Sequence, residues 1–123
     1  MLFRSLLGLK IVNDGPSDDD PNTRHVWFGS LDGDPGMLIS FMEYPELSKG
    51  VVGVGSTHHF ALIVESADEQ VAWRDYLRQQ GVDCTDVFDR GSFRSIYLRD
   101  PDGHIVEIAT RGPGFTSAGG AAA

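Results

Sequence analysis

Two short apolar stretches of this chain contain ionisable side chains, which packing of a hydrophobic core does not require. His58 and His59 stand at the head of one stretch, and Glu107 stands in the middle of the other. Side chains in a strand alternate between two faces, so His59 lies opposite to Phe60, and Glu107 lies opposite to Val106. A carboxylate among apolar neighbours is costly unless it is solvated, paired or bound to a cation.

These residues leave two interpretations of Glu107 open. One is an exposed sheet face, on which a single glutamate is ordinary, and the other is a metal ligand with His59 as its partner. His58 would replace His59 as ligand only if the strand slipped by one residue, so the alternation favours His59. His25 stands in another predicted strand, and we interpret it as a plain strand histidine.

The elements that would position His59 and Glu107 form a βαβββ unit. A strand from Thr57 to Val64 precedes a helix that begins at the capping box Ser66-Ala67-Asp68-Glu69 and ends before Gly81. Spacings of three and four predict that the helix buries Ala72, Trp73, Tyr76 and Leu77. Three strands are expected after the helix, at 82–88, 92–98 and 104–109, the last two joined by the turn Asp100-Pro101-Asp102-Gly103.

The first half of the chain repeats part of this order. It predicts the end of a helix at 1–7, a loop at 13–23, a linker at 45–55, and strands at 9–12, 25–29 and 37–42. The segment after Gly36 aligns with the segment after Gly103, which places Ser40 at the position of Glu107. In the same register the counterpart of His59 would precede Met1, so we expect the first unit to lack its opening strand.

Composition bounds the function. With 123 residues and 41% hydrophobic content, one domain with a real core is expected. The formal net charge of −8 argues against nucleic acid and anionic membrane surfaces as partners. The single cysteine, Cys84, can form no internal disulfide, which favours the cytoplasm. The apolar run at 1–8 is too short for a signal peptide or a membrane span.

One longer segment resembles a known family. The Asp-Pro-Asp-Gly turn followed by an apolar-Glu-apolar strand is similar to the last module of the vicinal-oxygen-chelate superfamily, which includes glyoxalases, bleomycin-resistance proteins and extradiol dioxygenases. The segment Arg-x-x-Phe-Arg-Ser-Ile-Tyr, from Arg90 to Tyr97, resembles ring-cleaving dioxygenases of the hydroquinone type. The resemblance implies an α+β fold of paired βαβββ units in one domain at 1–115. That domain would comprise an incomplete first unit at 1–54 and a complete second unit at 55–115. The small residues at 116–123 separately predict a disordered tail.

The same resemblance implies an Fe(II)-dependent, extradiol-type dioxygenase acting on hydroquinone- or catechol-like phenols. Its ligand set would be two histidines and one carboxylate, of which His59 and Glu107 match two. Mn(II) or another divalent metal is the alternative to Fe(II). The third ligand would come from the missing strand, and Ser40 is a poor substitute. Tyr97 would hydrogen-bond the substrate, and Arg90 would orient an anionic phenolate.

Two other functions remain open at this level. A metal-free small-molecule binding protein of the bleomycin-resistance type is one, and a glyoxalase-like metal-dependent lyase or isomerase is the other. The expected partners are a small aromatic substrate and O₂. The sheet edge left by a missing strand predicts a homodimer.

Overall fold

The computed structural model describes residues 2–30 and 33–115. The chain divides into two compact units, and the boundary falls between Lys49 and Gly50. Met1 of the predicted helix end and the predicted tail at 116–123 lie outside the described residues.

The second unit has the predicted order of elements. They are β4 (His59–Val64), α1 (Ala67–Gln79), β5 (Phe88–Asp89), β6 (Arg94–Arg99) and β7 (Ile105–Thr110). The strands form one sheet in the order β4-β7-β6-β5, in which β4 and β7 are parallel and the other neighbours are antiparallel. The central strand β7 therefore lies between the strand that carries His59 and the strand that carries Tyr97.

Helix α1 lies against β4, β6 and β7 and begins as its sequence predicts. The Ser66 hydroxyl accepts a hydrogen bond from the amide of Glu69, at 3.1 Å. The Glu69 carboxylate accepts one from the amide of Glu65, at 3.0 Å, which is one residue earlier than in the predicted capping box. Among the described residues, no helix is long and apolar enough to cross a membrane.

The buried stripe of α1 differs in part from the prediction. Leu77 is fully buried and Trp73 half-buried as expected, whereas Ala72 and Tyr76 are exposed. Gln70 is buried instead, because its amide nitrogen donates to the backbone oxygens of both Arg94 and Ile108, each at 2.8 Å. The stripe thus follows positions 70, 73 and 77, and a polar side chain occupies one of them.

Leu77 provides a direct test of this core. We expect Leu77→Ala to lower the free energy of unfolding by about 2–5 kcal/mol, because a fully buried leucine leaves a cavity when it is truncated. Urea unfolding followed by circular dichroism measures the change. Leu47→Ala removes the same atoms at a site that is 66% exposed, and it should change stability by less than about 0.5 kcal/mol. Equal losses in the two variants would contradict the assignment of the core.

The strand predicted at 82–88 is mostly irregular. Only Phe88 and Asp89 pair regularly with β6, and Cys84 forms an isolated bridge to Leu98. Between them, the Thr85 hydroxyl accepts a hydrogen bond from the amide of Tyr97, at 3.1 Å. A side chain thus binds an amide that regular strand pairing would bond to a backbone oxygen. This hydroxyl interrupts the strand that the apolar pattern predicted.

The first unit begins with a π-helical segment at Leu2–Leu6 and continues with β1 (Lys10–Pro16), β2 (Arg24–Gly29) and β3 (Leu38–Met42). The strands form an antiparallel sheet in that order. Its aromatic core includes Phe3, whose ring lies 5.8 Å from that of Phe28 and 4.9 Å from that of Phe41. No helix or strand lies between Met42 and His59, a stretch that includes the predicted linker at 45–55.

Strand β1 is longer than predicted and continues through the start of the expected loop. A register shift between Ile11 and Asn13 keeps it paired with β2, and Arg24 binds both carboxylate oxygens of Asp14, at 2.8 and 2.7 Å. The Arg24 guanidinium lowers the pKa of Asp14, whose charged form therefore supports this pairing. The sequence did not predict that β1 extends beyond Val12, because the added residues 13–16 are acidic or typical of turns.

The backbone supports the internal repeat. Gly36 and Gly103, which the repeat aligns, have φ angles of 84° and 88°, a region that favours glycine. Ser40 is paired with Trp27 in the first unit, just as Glu107 is paired with Tyr97 in the second. The mixed sheets with few helices confirm the predicted α+β fold class.

Candidate metal centre

The predicted ligand pair meets on one face of the second-unit sheet, opposite to the face of the core residues Val106 and Ile108. Parallel pairing places Ala61 beside Glu107, so His59 lies diagonally across from Glu107 on the same face. The distance from His59 Nε2 to Glu107 Oε1 is 2.9 Å. The structure thus brings together two residues that are 48 positions apart in sequence.

Glu107 is buried, with 5% of its surface exposed, so the interpretation as an ordinary glutamate on an exposed face is wrong. Both of its oxygens have partners, because Oε1 contacts His59 and Oε2 accepts a hydrogen bond from the Ser95 hydroxyl at 2.5 Å. That length is typical of a hydroxyl bound to a carboxylate. Ser95 is fully buried and was not identified from the sequence, although its parity with Tyr97 could have indicated it.

His58 contacts His59 from the side away from Glu107. It precedes β4, is exposed, and its Nδ1 lies 2.7 Å from Nδ1 of His59. For Nε2 of His59 to bind a cation, its Nδ1 has to carry the proton, and His58 Nδ1 is placed to accept that hydrogen bond. His58 therefore contacts His59, and it is His59 that contacts Glu107.

Tyr97 and Arg90, the two predicted substrate-contacting residues, lie beside this pair. Tyr97 is paired with Glu107 in the sheet, and its ring centroid lies 5.9 Å from that of His59. A guanidinium nitrogen of Arg90 donates to the Tyr97 hydroxyl at 3.0 Å. The arrangement can therefore present a phenolic proton, with a positive charge next to it, near the candidate ligands.

Three other side chains with reactive groups lie elsewhere in their units. His104 stacks on Phe60, with ring centroids 5.4 Å apart, which is a packing role. His25 lies 4.9 Å from the ring of Trp27 in the first unit, and its buried Nε2 has no hydrogen-bond partner in the described part of the chain. Burial raises the pKa of the Cys84 thiol, which disfavours the reactive thiolate.

The geometry of the pair fits a divalent cation. Two adjacent ligands of an octahedral cation, each about 2.1 Å from it, stand about 3.0 Å apart. The observed separation of 2.9 Å is close to that value, although it also suits a direct hydrogen bond. Within residues 2–30 and 33–115, no cluster of three or more histidine, cysteine, aspartate or glutamate side chains could hold a metal. Among the described residues, His59 and Glu107 therefore do not make up a three-ligand set.

A βαβββ unit with a histidine on its first strand and a glutamate on its last defines a class of proteins. The chain belongs to the Glyoxalase/Bleomycin resistance protein/Dioxygenase superfamily, whose family model matches residues 2–108. This confirms the family that the sequence resembles.

Particular relatives indicate a branch of that superfamily. The chain is 36% identical over 114 residues to a Bacillus subtilis (strain 168) protein named "Putative ring-cleaving dioxygenase MhqO". The match covers 93% of this chain and 34% of the relative, so the chain spans about a third of that protein's length.

Solved structures agree on the fold. A crystal structure titled as a putative dioxygenase from Bacillus subtilis has a TM-score of 0.82 and 29% identity, over 90% of this chain and 35% of that one. A mutant of FosX from Listeria monocytogenes, complexed with Mn(II) and 1S,2S-dihydroxypropylphosphonic acid, has a TM-score of 0.60. It is 19% identical and covers 87% of this chain and 76% of that one, so it supports the fold alone.

Proposed function

We propose that this chain forms part of an Fe(II)-dependent, ring-cleaving dioxygenase of the extradiol type, acting on hydroquinone- or catechol-like phenols. The observation that carries the proposal is the buried Glu107 carboxylate 2.9 Å from His59 Nε2, with the Tyr97 phenol on the neighbouring strand. The likeness to a relative named as a ring-cleaving dioxygenase supports the choice of reaction.

Each residue has a role that its contacts support. His59 and Glu107 are the metal ligands, Ser95 holds the carboxylate, and His58 sets the tautomer of His59. The metal, when bound, would supply a site where a phenol and O₂ can react. The Tyr97 hydroxyl hydrogen-bonds a substrate oxygen and moves a proton, while Arg90 orients that hydroxyl by donating to it. Mn(II) suits the same nitrogen and oxygen donors.

The proposal needs a third protein ligand from outside the described residues, since those residues hold no cluster of three. A strand beyond this chain or a second copy of the chain would supply it. We include in the proposal a homodimer, for which the first-unit strand β3 offers an edge, and a cytoplasmic location.

A second function is favoured by one specific contact. The direct approach of His59 to Glu107 satisfies the buried carboxylate without any cation. A metal-free small-molecule binding protein is therefore the alternative.

The experiment that tests the proposal identifies the product. The chain is extended at its N-terminus by a strand that carries one histidine, and it is incubated with Fe(II), a hydroquinone and isotopically labelled O₂. We expect a ring-opened product that contains both labelled oxygen atoms, detected by mass spectrometry, and no product when a chelator is present. Unchanged hydroquinone would favour the binding protein, and an unlabelled rearranged product would favour the lyase or isomerase.

A further inference from the structure

Arg90 differs from four other arginines of this acidic chain in the groups that surround it. Ion pairs with carboxylates hold the side chains of Arg24, Arg74, Arg78 and Arg111. Arg90 forms no ion pair with any carboxylate in the described part of the chain. The carboxylate of its neighbour Asp89 is engaged by the Gly91 amide at 2.8 Å.

Aromatic groups hold Arg90 instead. Its guanidinium carbon lies 5.0 Å from the ring centroid of Phe88 and 5.7 Å from that of Tyr97, within the range of cation–π attraction. One nitrogen donates to the Tyr97 hydroxyl, and within residues 2–30 and 33–115 the other donors of the planar guanidinium have no hydrogen-bond partner. A guanidinium fixed by rings keeps its full charge available to an incoming anion.

Phe88 belongs to the same face as the candidate ligands. It is paired with Ser95 in the sheet, so its ring lies on the side of Ser95, Tyr97 and Glu107. It is 44% exposed, and its centroid lies 5.9 Å from that of Tyr97. A large aromatic ring that is exposed on a two-residue strand contributes little to a core and is available to stack on a flat ligand.

We propose that Phe88, Arg90 and Tyr97 form a receptor for an aromatic ring that bears an anionic substituent. The ring would stack on Phe88, and the anion would bind the free donors of Arg90. The preferred substrates would then be carboxylated hydroquinones or catechols rather than neutral ones. As a statement about substrates this rests on the proposed dioxygenase function, whereas the binding itself involves neither metal nor O₂.

The test is calorimetric titration of the whole chain, without metal, with two probes that differ by one carboxylate, namely gentisate and hydroquinone. We expect the wild-type chain to bind gentisate about 10-fold more tightly, in keeping with an ion pair at a partly exposed site. Arg90→Gln should abolish that preference. Phe88→Leu should weaken binding of both probes by a similar factor of about 3–10, because the stacking platform is lost.

A matched control excludes a simple effect of net charge. Arg94→Gln removes the same charge from the adjacent strand, but position 94 lies on the opposite face from Ser95 and Tyr97. It should leave both affinities unchanged. Circular dichroism checks folding, and should Arg90→Gln fail to fold, Arg90→Lys keeps the charge without the planar fork and should lose most of the preference.

The results separate this inference from the proposed function. Equal affinities of the wild-type chain for the two probes, no binding of either, or equal effects of Arg94→Gln and Arg90→Gln would overturn it. A gentisate preference that depends on Arg90 supports it even if the extended chain cleaves no ring, a result that would count against the dioxygenase alone.

Discussion

Replacing Glu107 with glutamine is expected to lower the affinity for Mn(II) or Fe(II) by at least about 100-fold while the fold stays intact. Glutamine has nearly the same shape and keeps an oxygen that can accept from Ser95, so packing around β7 should change little. It lacks the negative charge, and a neutral amide is a far weaker ligand for a hard cation. Anaerobic isothermal titration measures the affinity, and circular dichroism checks the fold.

Glu65→Gln is the control for this prediction. Glu65 follows β4 and is exposed, and its carboxylate is paired with Arg111 at 2.9 Å. The substitution removes the same charge from the same unit without touching the candidate centre, so metal affinity should stay as in the wild type. Equal affinity of the wild type and Glu107→Gln would remove Glu107 from the metal site.

The second large effect concerns the number of ligands. The chain as given should consume little or no O₂ with Fe(II) and a hydroquinone, because His59 and Glu107 would occupy only two positions of the cation. Extension by an N-terminal strand patterned on β4, with one histidine at the place of His59, should raise oxygen uptake by at least about 100-fold. The same extension with alanine in place of that histidine is the control.

Other outcomes would revise this account. Robust uptake by the chain as given would show that a third ligand is already present, and light scattering would then show whether a second copy of the chain supplies it. Equal uptake with the histidine and alanine extensions would show that the added strand acts through the fold and not as a ligand. No uptake by either would favour the metal-free binding protein.

The sequence predicted which residues would share a face but not how closely they would approach. Alternation along each strand placed His59 and Glu107 opposite to their packing neighbours, and both assignments agree with the observed register. The contact between them depends on β4 lying parallel to β7, which is a tertiary pairing that no local pattern encodes. The contact of Ser95 with Glu107 likewise depends on the pairing of β6 with β7, so the shared face of Ser95 and Tyr97 alone did not reveal it.

Local hydrogen bonds explain most of the errors in the predicted elements. The burial of Gln70 follows from two backbone oxygens of the sheet that accept its amide, and hydrophobicity alone cannot foresee such partners. The Thr85 hydroxyl likewise took the amide of Tyr97 and shortened a strand that the apolar pattern favoured. In both cases a hydrogen bond between a side chain and the backbone replaced the arrangement that the hydrophobic pattern of the segment predicts.

The hydrogen bond from Ser95 to Glu107 also bears on which cations the centre would accept. Oε2 accepts the serine hydroxyl and Oε1 faces His59, so a cation held by His59 and Glu107 would bind Glu107 through Oε1. Calcium sites commonly use bidentate carboxylates and six to eight oxygens, whereas smaller divalent ions prefer six ligands in octahedral geometry. In the proposed metal site, ligation through Oε1 alone would disfavour Ca²⁺ and would keep free one coordination position that a bidentate carboxylate fills.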